Sequence, residues 1–356
     1  MRVFVTGASG WIGSATVPEL LAAGHAVVGL ARSDRAAAAL TAAGAEVRRG
    51  TLDDLDALAD AAGAADGVIH LAFQHDVAFS GGFLAAAEAD RRAVEAMGSA
   101  LQGSDRPFVL ASGLLGLTPG RLATEHDGRD AASSSTHAGA ASSPSGLDSA
   151  ASPSSGHGGA ASPSAGHGGT ASPSSGLDGA ASSPSGEAPS GPDVRRATGQ
   201  YTLALAEQGV RSSVLRLPPT VHGDGDQGFL AAIVAAAREH GVSGYLGDGA
   251  NRWPAVHRLD AAHLFRLALE GAPAGSVLHA VGDGGVPIRA VAGVIGRHLG
   301  VPVGPVEPAH FTWLAGLVGI DSPASAELTR DLLGWQPTRP GLLEDLEQGH
   351  YFLLAG

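Results

Sequence analysis

Short apolar runs alternate with helix-like stretches along the first 129 residues of the chain. Strands are predicted at the apolar runs 2–5, 26–30, 46–48, 67–73 and 107–112. Helices are predicted between them, from the glycine-rich turn to residues 21–23 and at 35–43, 54–62 and 83–102. Buried apolar strands that alternate with helices are typical of a parallel sheet covered on both faces. We therefore predict an α/β protein with a Rossmann-type doubly wound parallel sheet.

This alternation stops between residues 130 and 192, where the chain becomes Ala, Ser, Pro and Gly with little else. Decapeptides repeat there, from AASSPSGLDS to AASSPSGEAP. Such a segment has few large apolar side chains to offset the entropy lost on ordering. We predict a disordered low-complexity insertion. Its His137, His157 and His167 have no acidic or thiol partners at ligand spacing, so no metal site is expected.

The insertion separates two ordered pieces, 1–129 and 193–356. The apolar periodicity of GFLAAIVAAAREHG predicts a helix at 228–241 that ends at its glycine. We predict that residues 193–281 complete the Rossmann core and carry an interleaved substrate-domain segment at about 218–250. Residues 282–356 are predicted to form the smaller C-terminal substrate-binding part.

The turn after the first strand, TGASGWIG, carries glycines at positions 7, 10 and 13. Gly7 permits a tight turn, Gly10 lets the backbone approach a pyrophosphate, and Gly13 lets the helix pack on the sheet. The N–H groups of Trp11 and Ile12 then point at the phosphates, and the helix dipole adds to the attraction. An ordinary glycine turn is the alternative, but strand, turn and helix agree, so we predict dinucleotide binding.

The end of the second strand, VVGLARSDR, bears on the choice of dinucleotide. NAD sites usually end this strand with an acidic residue that binds the ribose hydroxyls. Here Arg32 and Arg35 follow the strand, and Asp34 is the acid nearby. Because an arginine can pair with a 2′-phosphate, NADP is predicted over NAD, with Arg32 as its contact. A solvated Arg32 with NAD as cofactor is the alternative.

Composition narrows the class of partner. The formal net charge of −13 argues against nucleic acid or an anionic membrane as a general partner. The chain has no cysteine for a disulfide or a thiolate metal site, and it has no apolar run long enough to cross a bilayer. We expect a cytoplasmic protein that binds a small-molecule substrate. The sequence leaves open whether the protein forms a homodimer.

Five motifs in order along the chain carry a family resemblance: TGASGWIG, GVIHLAF, LRLPPTVHGDGD, WPAVHRLDAA and LGWQPTRPGLLEDL. Together they resemble the extended branch of the short-chain dehydrogenase/reductase superfamily, the NAD-dependent epimerase/dehydratase-like group. The resemblance implies a Rossmann domain, a smaller C-terminal substrate domain, and substrates such as nucleotide sugars, hydroxysteroids or other secondary alcohols and ketones. Within these motifs we add Ala72 and Pro218 to the expected cofactor contacts.

One feature of this family is missing. Its members normally carry Tyr-x-x-x-Lys on a helix shortly before the Leu-Arg-Pro strand, where the lysine lowers the pKa of the tyrosine. Arg195 falls near the tyrosine position, Gly199 falls near the lysine position, and the chain contains no lysine at all. Tyr201 is the nearest tyrosine, with Leu205 four residues later. An unassisted tyrosine titrates near ~10, which is too high for an efficient base at neutral pH.

Ser112 and His75 are therefore the candidate catalytic residues. Ser112, in LASGLLG, could bond a substrate carbonyl, and a strand-end serine that bonds its own backbone is the alternative. His75, in the loop QHDVAF after the fourth strand, titrates near neutrality in a region that faces the cofactor in Rossmann sheets. The alternative for His75 is an exposed polar loop.

The substrate side is less defined. Trp253, Trp313 and Trp335 could line an apolar pocket, with core packing as the alternative. No basic cluster marks a diphosphate subsite beyond Arg252 and Arg258, so a small or apolar carbonyl compound is favoured over a nucleotide sugar.

Three functional hypotheses remain. The favoured one is an NADP-dependent oxidoreductase that acts on CH–OH or C=O groups with a non-standard proton donor. The second is a non-catalytic NADP-binding redox sensor or scaffold, which the missing Tyr and Lys favour. The third is a sugar epimerase or dehydratase. The retained substrate-domain motifs favour an enzyme.

Overall fold

The computed structural model describes residues 1–128 and 190–353. The predicted insertion lies outside these residues except for its last three positions. Ser190 is the N-cap of a helix, and Gly191 and Pro192 are its first residues. The helix begins at Gly191 because Ser190 and Asp193 form a capping box that satisfies N–H groups at its start.

Within the described residues, seven strands form the main sheet in the order β10-β6-β5-β4-β1-β2-β3. All neighbouring pairs in it are parallel. The strands are β1 (Arg2–Thr6), β2 (Ala26–Ala31), β3 (Glu46–Arg49), β4 (Gly67–His70), β5 (Pro107–Gly113), β6 (Arg211–Leu217) and β10 (Ser276–His279). The order reverses between β1 and β4, and ligands of such sheets bind at the carboxyl ends of the strands at this switch point. The predicted Rossmann-type doubly wound sheet is confirmed.

Helices cover both faces of the main sheet, and further helices pack in the C-terminal part of the chain. Their bounds are α1 (Gly13–Ala22), α2 (Asp34–Ala42), α3 (Leu55–Gly63), α4 (His75–Val77), α5 (Phe83–Leu101), α6 (Gly191–Ala204), α7 (Phe229–His240), α8 (Arg258–Gly271), α9 (Ile288–Leu299), α10 (Ala315–Val318), α11 (Glu327–Leu333) and α12 (Leu342–Glu347). Helix α1 continues through Pro18, an exposed residue. Water can therefore satisfy the carbonyl that loses its N–H partner there.

Alternating side chains of each strand point to opposite faces, which separates two apolar cores. On one face, Val3 and Val5 of β1 belong to a buried cluster that includes Phe265 of α8. On the other face, Phe4 belongs to a buried cluster that includes Met97 of α5. These two cores fix the ends of the strands, and therefore the loops that follow them.

Two smaller sheets lie in the C-terminal half. They have the orders β11-β9-β7 and β12-β8, and their strands are β7 (Thr220–His222), β8 (Ser243–Tyr245), β9 (Arg252–His257), β11 (Asp283–Pro287) and β12 (Val303–Pro305). A third buried cluster joins α7, β9, α9 and α12. This cluster contains segments from both sides of residue 282, the predicted start of the substrate-binding part. The assignment of residues 282–356 as the substrate-binding part stays a prediction. No helix in the two described ranges is both long and apolar enough to span a membrane.

Two sequence expectations change in detail. Strand β4 ends at His70 instead of continuing to residue 73, and Leu71 N donates to the Thr6 carbonyl as the chain leaves the sheet. Trp253 and Trp335 are fully buried, with their indole N–H groups donating to the carbonyls of Ile320 and Asp260. These two tryptophans are core residues, whereas Trp313 remains accessible.

Candidate active site

The glycine-rich turn has the close packing that its three glycines predict. Gly7 has a φ of +64°, and a Cβ there would lie 2.7 Å from the Ala72 nitrogen, so the turn touches the loop after β4. A Cβ on Gly13 would lie 2.1 Å from the Gly7 carbonyl oxygen. The first N–H groups of a helix have no intrahelical acceptor, and Ile12 is the N-cap of α1. The crevice between this helix end and the loop after β4 therefore fits a dinucleotide diphosphate.

Trp11 fixes this turn against the C-terminal half of the chain. Its indole N–H donates to the Val221 carbonyl at 2.8 Å, and the Arg258 guanidinium lies 4.3 Å above its ring. Pro218, another predicted cofactor contact, is buried directly after β6 on the approach to Val221. These contacts bring the glycine-rich turn, β7 and the start of α8 together at the carboxyl ends of the main-sheet strands.

Arg32 lies just beyond the end of β2, where the predicted 2′-phosphate contact was placed. Its Nη1 atom is 3.2 Å from Asp76 Oδ2, and both side chains are well exposed. Asp34, the acid next to it, pairs with Arg49. The Arg32–Asp76 pair joins the end of β2 to the loop after β4. A 2′-phosphate at Arg32 would therefore lie close to a carboxylate.

A buried polar network lies between the switch point and α6. Asp90 of α5 is fully buried, with Oδ1 3.2 Å from His70 Nε2 and Oδ2 2.6 Å from Arg195 Nη1. His70 Nδ1 lies 2.6 Å from Thr6 Oγ1, which accepts a hydrogen bond from Ala72 N. We assign the proton of His70 to Nε2, so that it donates to Asp90 and accepts from the Thr6 hydroxyl. The network connects the ends of β1 and β4 to the helix that carries Arg195.

Arg195, which the sequence spacing predicts near the family's tyrosine position, makes three contacts with side chains and backbone of the sheet's carboxyl edge and α5. Its Nη2 atom donates to the Ala111 carbonyl at the end of β5, and its guanidinium lies 4.3 Å from the centre of the Phe73 ring. About a fifth of its side chain stays accessible. Burial opposes ionisation of Asp90, but the positive charge of Arg195 and hydrogen bonds hold the pKa of this carboxyl below its ordinary value. The carboxylate and the guanidinium are therefore both charged at neutral pH.

His75 lies beside this group. Its ring is 5.1 Å from Phe73 and 5.7 Å from Phe79, between centroids. His75 is an exposed residue, yet partial desolvation lowers the pKa of its imidazole from 6.5, and repulsion from Arg195 lowers it further. The nearby Asp76 opposes this shift only in part. His75 is therefore neutral at pH 7 and able to accept a proton.

Ser112 follows Ala111, the residue bonded by Arg195, and is half-buried. The Ser112 hydroxyl has no hydrogen-bond partner among the residues that the structure describes. Arg195 and His75 thus both contact the Phe73 ring, and Ser112 directly follows the residue whose carbonyl Arg195 bonds. Their roles in catalysis stay predictions.

The alternative tyrosine lies elsewhere. Tyr201 packs against the core cluster of α5, under the guanidinium of Arg91 at 5.7 Å. Gly199, near the lysine position, shares a helix face with Arg195, and a Cβ there would meet nothing within 4 Å. The helix therefore has room for a side chain at Gly199, one turn after Arg195.

His70 and Asp90 were not predicted as site residues from the sequence. Both left a signal. His70 interrupts an apolar strand, and Asp90 lies on the same helix face as Ala86, Ala93 and Met97, which are all buried. A charged residue on an apolar helix face needs a partner. Sequence spacing alone did not indicate which one.

A Rossmann sheet with a glycine-rich diphosphate turn and an appended C-terminal part defines an extended short-chain dehydrogenase/reductase. Residues 3–97 match the model of the NAD dependent epimerase/dehydratase family. An uncharacterized protein of Schizosaccharomyces pombe is 40% identical over 99% of this chain and 100% of its own length. Another, from Saccharomyces cerevisiae, is 40% identical over 98% of this chain and 99% of its own length. The chain belongs to the NAD-dependent epimerase/dehydratase family, whose members depend on NAD(P).

Solved structures share the fold at lower identity. UDP-glucose 4-epimerase from Thermotoga maritima, solved with UDP-glucose, is 19% identical with a TM-score of 0.66, over 99% of this chain and 98% of that one. A double mutant of dTDP-glucose 4,6-dehydratase from Streptomyces venezuelae, solved with NAD, is 18% identical with a TM-score of 0.66, over 99% and 97%. At this identity the likeness establishes the fold alone.

Proposed function

We propose that this protein is an NAD(P)-dependent oxidoreductase that interconverts a secondary alcohol and a carbonyl group without the Tyr-x-x-x-Lys pair. The observation that carries the proposal is the placement of Arg195. A charged guanidinium, held by the buried carboxylate of Asp90, lies on the Phe73 ring that His75 also contacts, and it bonds the carbonyl of Ala111, the residue before Ser112. A fixed positive charge of this kind stabilises an oxyanion that develops in a transition state.

We propose the following roles for residues of this chain in cofactor binding and proton transfer. The amides of Trp11, Ile12 and Gly13 would bind the cofactor diphosphate, with Gly7, Gly10, Ala72 and Pro218 shaping the crevice. A nicotinamide cofactor held there would supply the hydride-transfer chemistry. The neutral imidazole of His75 takes the hydroxyl proton of the alcohol at a ring nitrogen and returns it in the reverse direction. Arg195, which uses two of its five N–H donors in the network, and the Ser112 hydroxyl stabilise the alkoxide oxygen.

We propose NAD as the preferred cofactor, which departs from the NADP favoured by the sequence. Two features support it: the solved relatives include proteins with bound NAD, and Arg32 is paired with Asp76. The Asp76 carboxylate would repel a 2′-phosphate and compete with it for the guanidinium.

Substituting Asp76→Asn is expected to shift the preference towards NADP by about threefold to tenfold, because it frees Arg32 for the phosphate. Arg32→Ala in the same background should remove the gain. Isothermal titration of wild type and both variants with NAD⁺ and NADP⁺ measures this shift. A wild type that binds NADP⁺ more tightly than NAD⁺ would refute the proposed cofactor preference.

The reaction itself is tested by NAD(P)H consumption with a panel of aldehydes, ketones and nucleotide sugars. Turnover of carbonyl compounds supports the oxidoreductase. Tight NAD(P) binding without turnover of any compound supports the non-catalytic sensor instead, and conversion of UDP-glucose without net consumption supports an epimerase.

A pH profile tests the role of His75. Alcohol oxidation should lose rate only when His75 becomes protonated, so the acid limb of kcat should lie below pH 6.5, the ordinary imidazole value. Arg195→Met removes a positive charge that disfavours the imidazolium, so it should raise the pKa of His75 and move the limb upward. His75→Gln should abolish the limb and lower kcat by about 10²-fold or more. If His75→Gln keeps the limb, another group moves the proton.

A further inference from the structure

We propose that the substrate is a flat aromatic carbonyl compound or alcohol, held against the exposed rings of Phe79 and Trp313; this rests on the oxidoreductase function proposed above. The two rings form the outer part of an aromatic wall, defined as Phe73, His75, Phe79, Trp313 and Phe229. The wall leads from the proposed reacting groups to the surface.

Ring contacts make this wall continuous. The Arg195 guanidinium lies on Phe73, and Phe73 contacts His75. His75 stacks on Phe79 with an interplanar angle of 27°, and the Phe79 and Trp313 centroids are 4.8 Å apart. A ring that packed on the outer part of the wall would place a substituent next to His75.

Both outer rings are unusually exposed for their size. Phe79 is 43% and Trp313 is 47% accessible, although each contacts the other and the ring of Phe229. Phe229 in turn contacts the buried Trp253, so the exposed rings rest on a fixed base. Exposed adjoining aromatic side chains beside a reactive group are a feature of ligand sites.

The backbone beneath each outer ring departs from regular structure. Phe79 belongs to a single π-helical turn, Ala78–Gly82, in which Gly81 has a φ of +96°. Thr312, directly before Trp313, has a φ of +50° and a ψ of −119°. Positive φ is costly for a β-branched residue, and such strain persists where surrounding contacts impose it, often at binding sites. The rings of Phe79 and Trp313 therefore contact each other, and each is carried by a segment with irregular backbone geometry.

The available charges fit this ligand better than a nucleotide sugar. A sugar diphosphate needs cationic partners for its phosphates. Arg252 is already paired with Asp321 through two nitrogen atoms, and Arg258 lies on Trp11. The wall offers ring faces, which favour stacked or edge-on aromatic partners. Arg195 supplies one positive charge at its inner end, suited to a carbonyl oxygen.

Two aldehydes of similar size provide the test: benzaldehyde, which is flat, and cyclohexanecarbaldehyde, which is not. Binding to the full-length protein saturated with NAD⁺ is measured by isothermal titration, with UDP-glucose as a third ligand. We expect benzaldehyde to bind about threefold to tenfold more tightly than its saturated analogue. Phe79→Leu and Trp313→Leu should each remove most of this preference. Leu332→Ala, at an equally exposed apolar side chain of α11, should leave it unchanged.

The outcomes separate this inference from the proposed function. Equal binding of the two aldehydes by a protein that still reduces carbonyl compounds overturns the ligand class alone. Selective benzaldehyde binding without NADH consumption upholds the ligand class and overturns the oxidoreductase. Tighter binding of UDP-glucose than of benzaldehyde overturns the inference. So does a Trp313→Leu variant that changes the sedimentation coefficient but not aldehyde binding, since the rings would then form a subunit interface.

Discussion

Replacing Gly13 with alanine is expected to abolish NAD(P) binding, with a loss in affinity of about 100-fold or more. The added Cβ would lie 2.1 Å from the Gly7 carbonyl oxygen and 2.7 Å from two backbone atoms of Ala8. Backbone atoms of a buried turn cannot rotate away as a side-chain end could. Helix α1 must therefore move off the end of β1, which displaces the amides that would bind the diphosphate.

Isothermal titration with NAD⁺ and NADP⁺ measures this loss, and circular dichroism reports whether the variant folds. Gly63→Ala is the matched control, because Gly63 ends helix α3 and an added Cβ there meets nothing within 4 Å. This control should bind like wild type. Gly10→Ala is milder, with a contact of 3.2 Å to the Gly7 oxygen, and provides the test if Gly13→Ala fails to fold. If Gly13→Ala and Gly10→Ala both bind the cofactor with wild-type affinity, the glycine-rich turn is not the cofactor site.

The sheet and the glycine turn could be predicted because their signals are local. Apolar runs of strand length, separated by helical stretches, permit few arrangements other than a covered parallel sheet. The three glycines of the turn act within seven residues of one another. Element ends were harder to predict: strand β4 ends at His70, which pairs with Thr6, the last residue of the distant strand β1, and no local pattern records this pairing.

The site was less predictable because its partners are distant in the chain. The spacing from the Leu-Arg motif predicts Arg195 near the tyrosine position. It does not indicate which carboxylate pairs with the guanidinium. Asp90 lies 105 residues away on α5, and its place on an apolar helix face indicates that it needs a partner without indicating which one. Hydropathy likewise does not separate Trp313 from the fully buried Trp253 and Trp335. A buried ion pair or an exposed ring is a property of packing, which the sequence pattern does not encode directly.

Asp90→Ala is expected to lower the free energy of unfolding by about 3–5 kcal/mol. The substitution leaves the largely buried guanidinium of Arg195 without its carboxylate and removes the acceptor of His70. Arg196, the next residue on α6, makes an exposed pair with Asp193. Arg196→Ala should therefore change stability by no more than about 0.5 kcal/mol. Urea unfolding of the two variants compares a buried with an exposed ion pair on one helix.

A double variant separates the loss of the pair from the cost of an unpaired charge. Asp90→Ala with Arg195→Met removes both charges, so it should regain part of the stability that Asp90→Ala loses. If Asp90→Ala costs no more than Arg196→Ala, the network does not hold Arg195, and the argument for its role at the active site fails with it.

The pH dependence of stability gives an independent measure of the same carboxylate. The folded-state pKa of Asp90 lies below its ordinary value. The contribution of the Asp90 carboxylate to the free energy of unfolding is therefore fully present above the unfolded-state pKa of about 3.9. It is lost as the pH falls through the folded-state pKa. Asp90→Asn cannot titrate, so the difference in unfolding free energy between wild type and this variant should be constant above about pH 5 and shrink below about pH 4. A difference that stays constant down to about pH 2.5 would mean that folding leaves the pKa of Asp90 unchanged. A difference that instead changes with pH above about pH 5 would mean that Asp90 is protonated in the folded protein, and Arg195 would then need another source of neutralising charge.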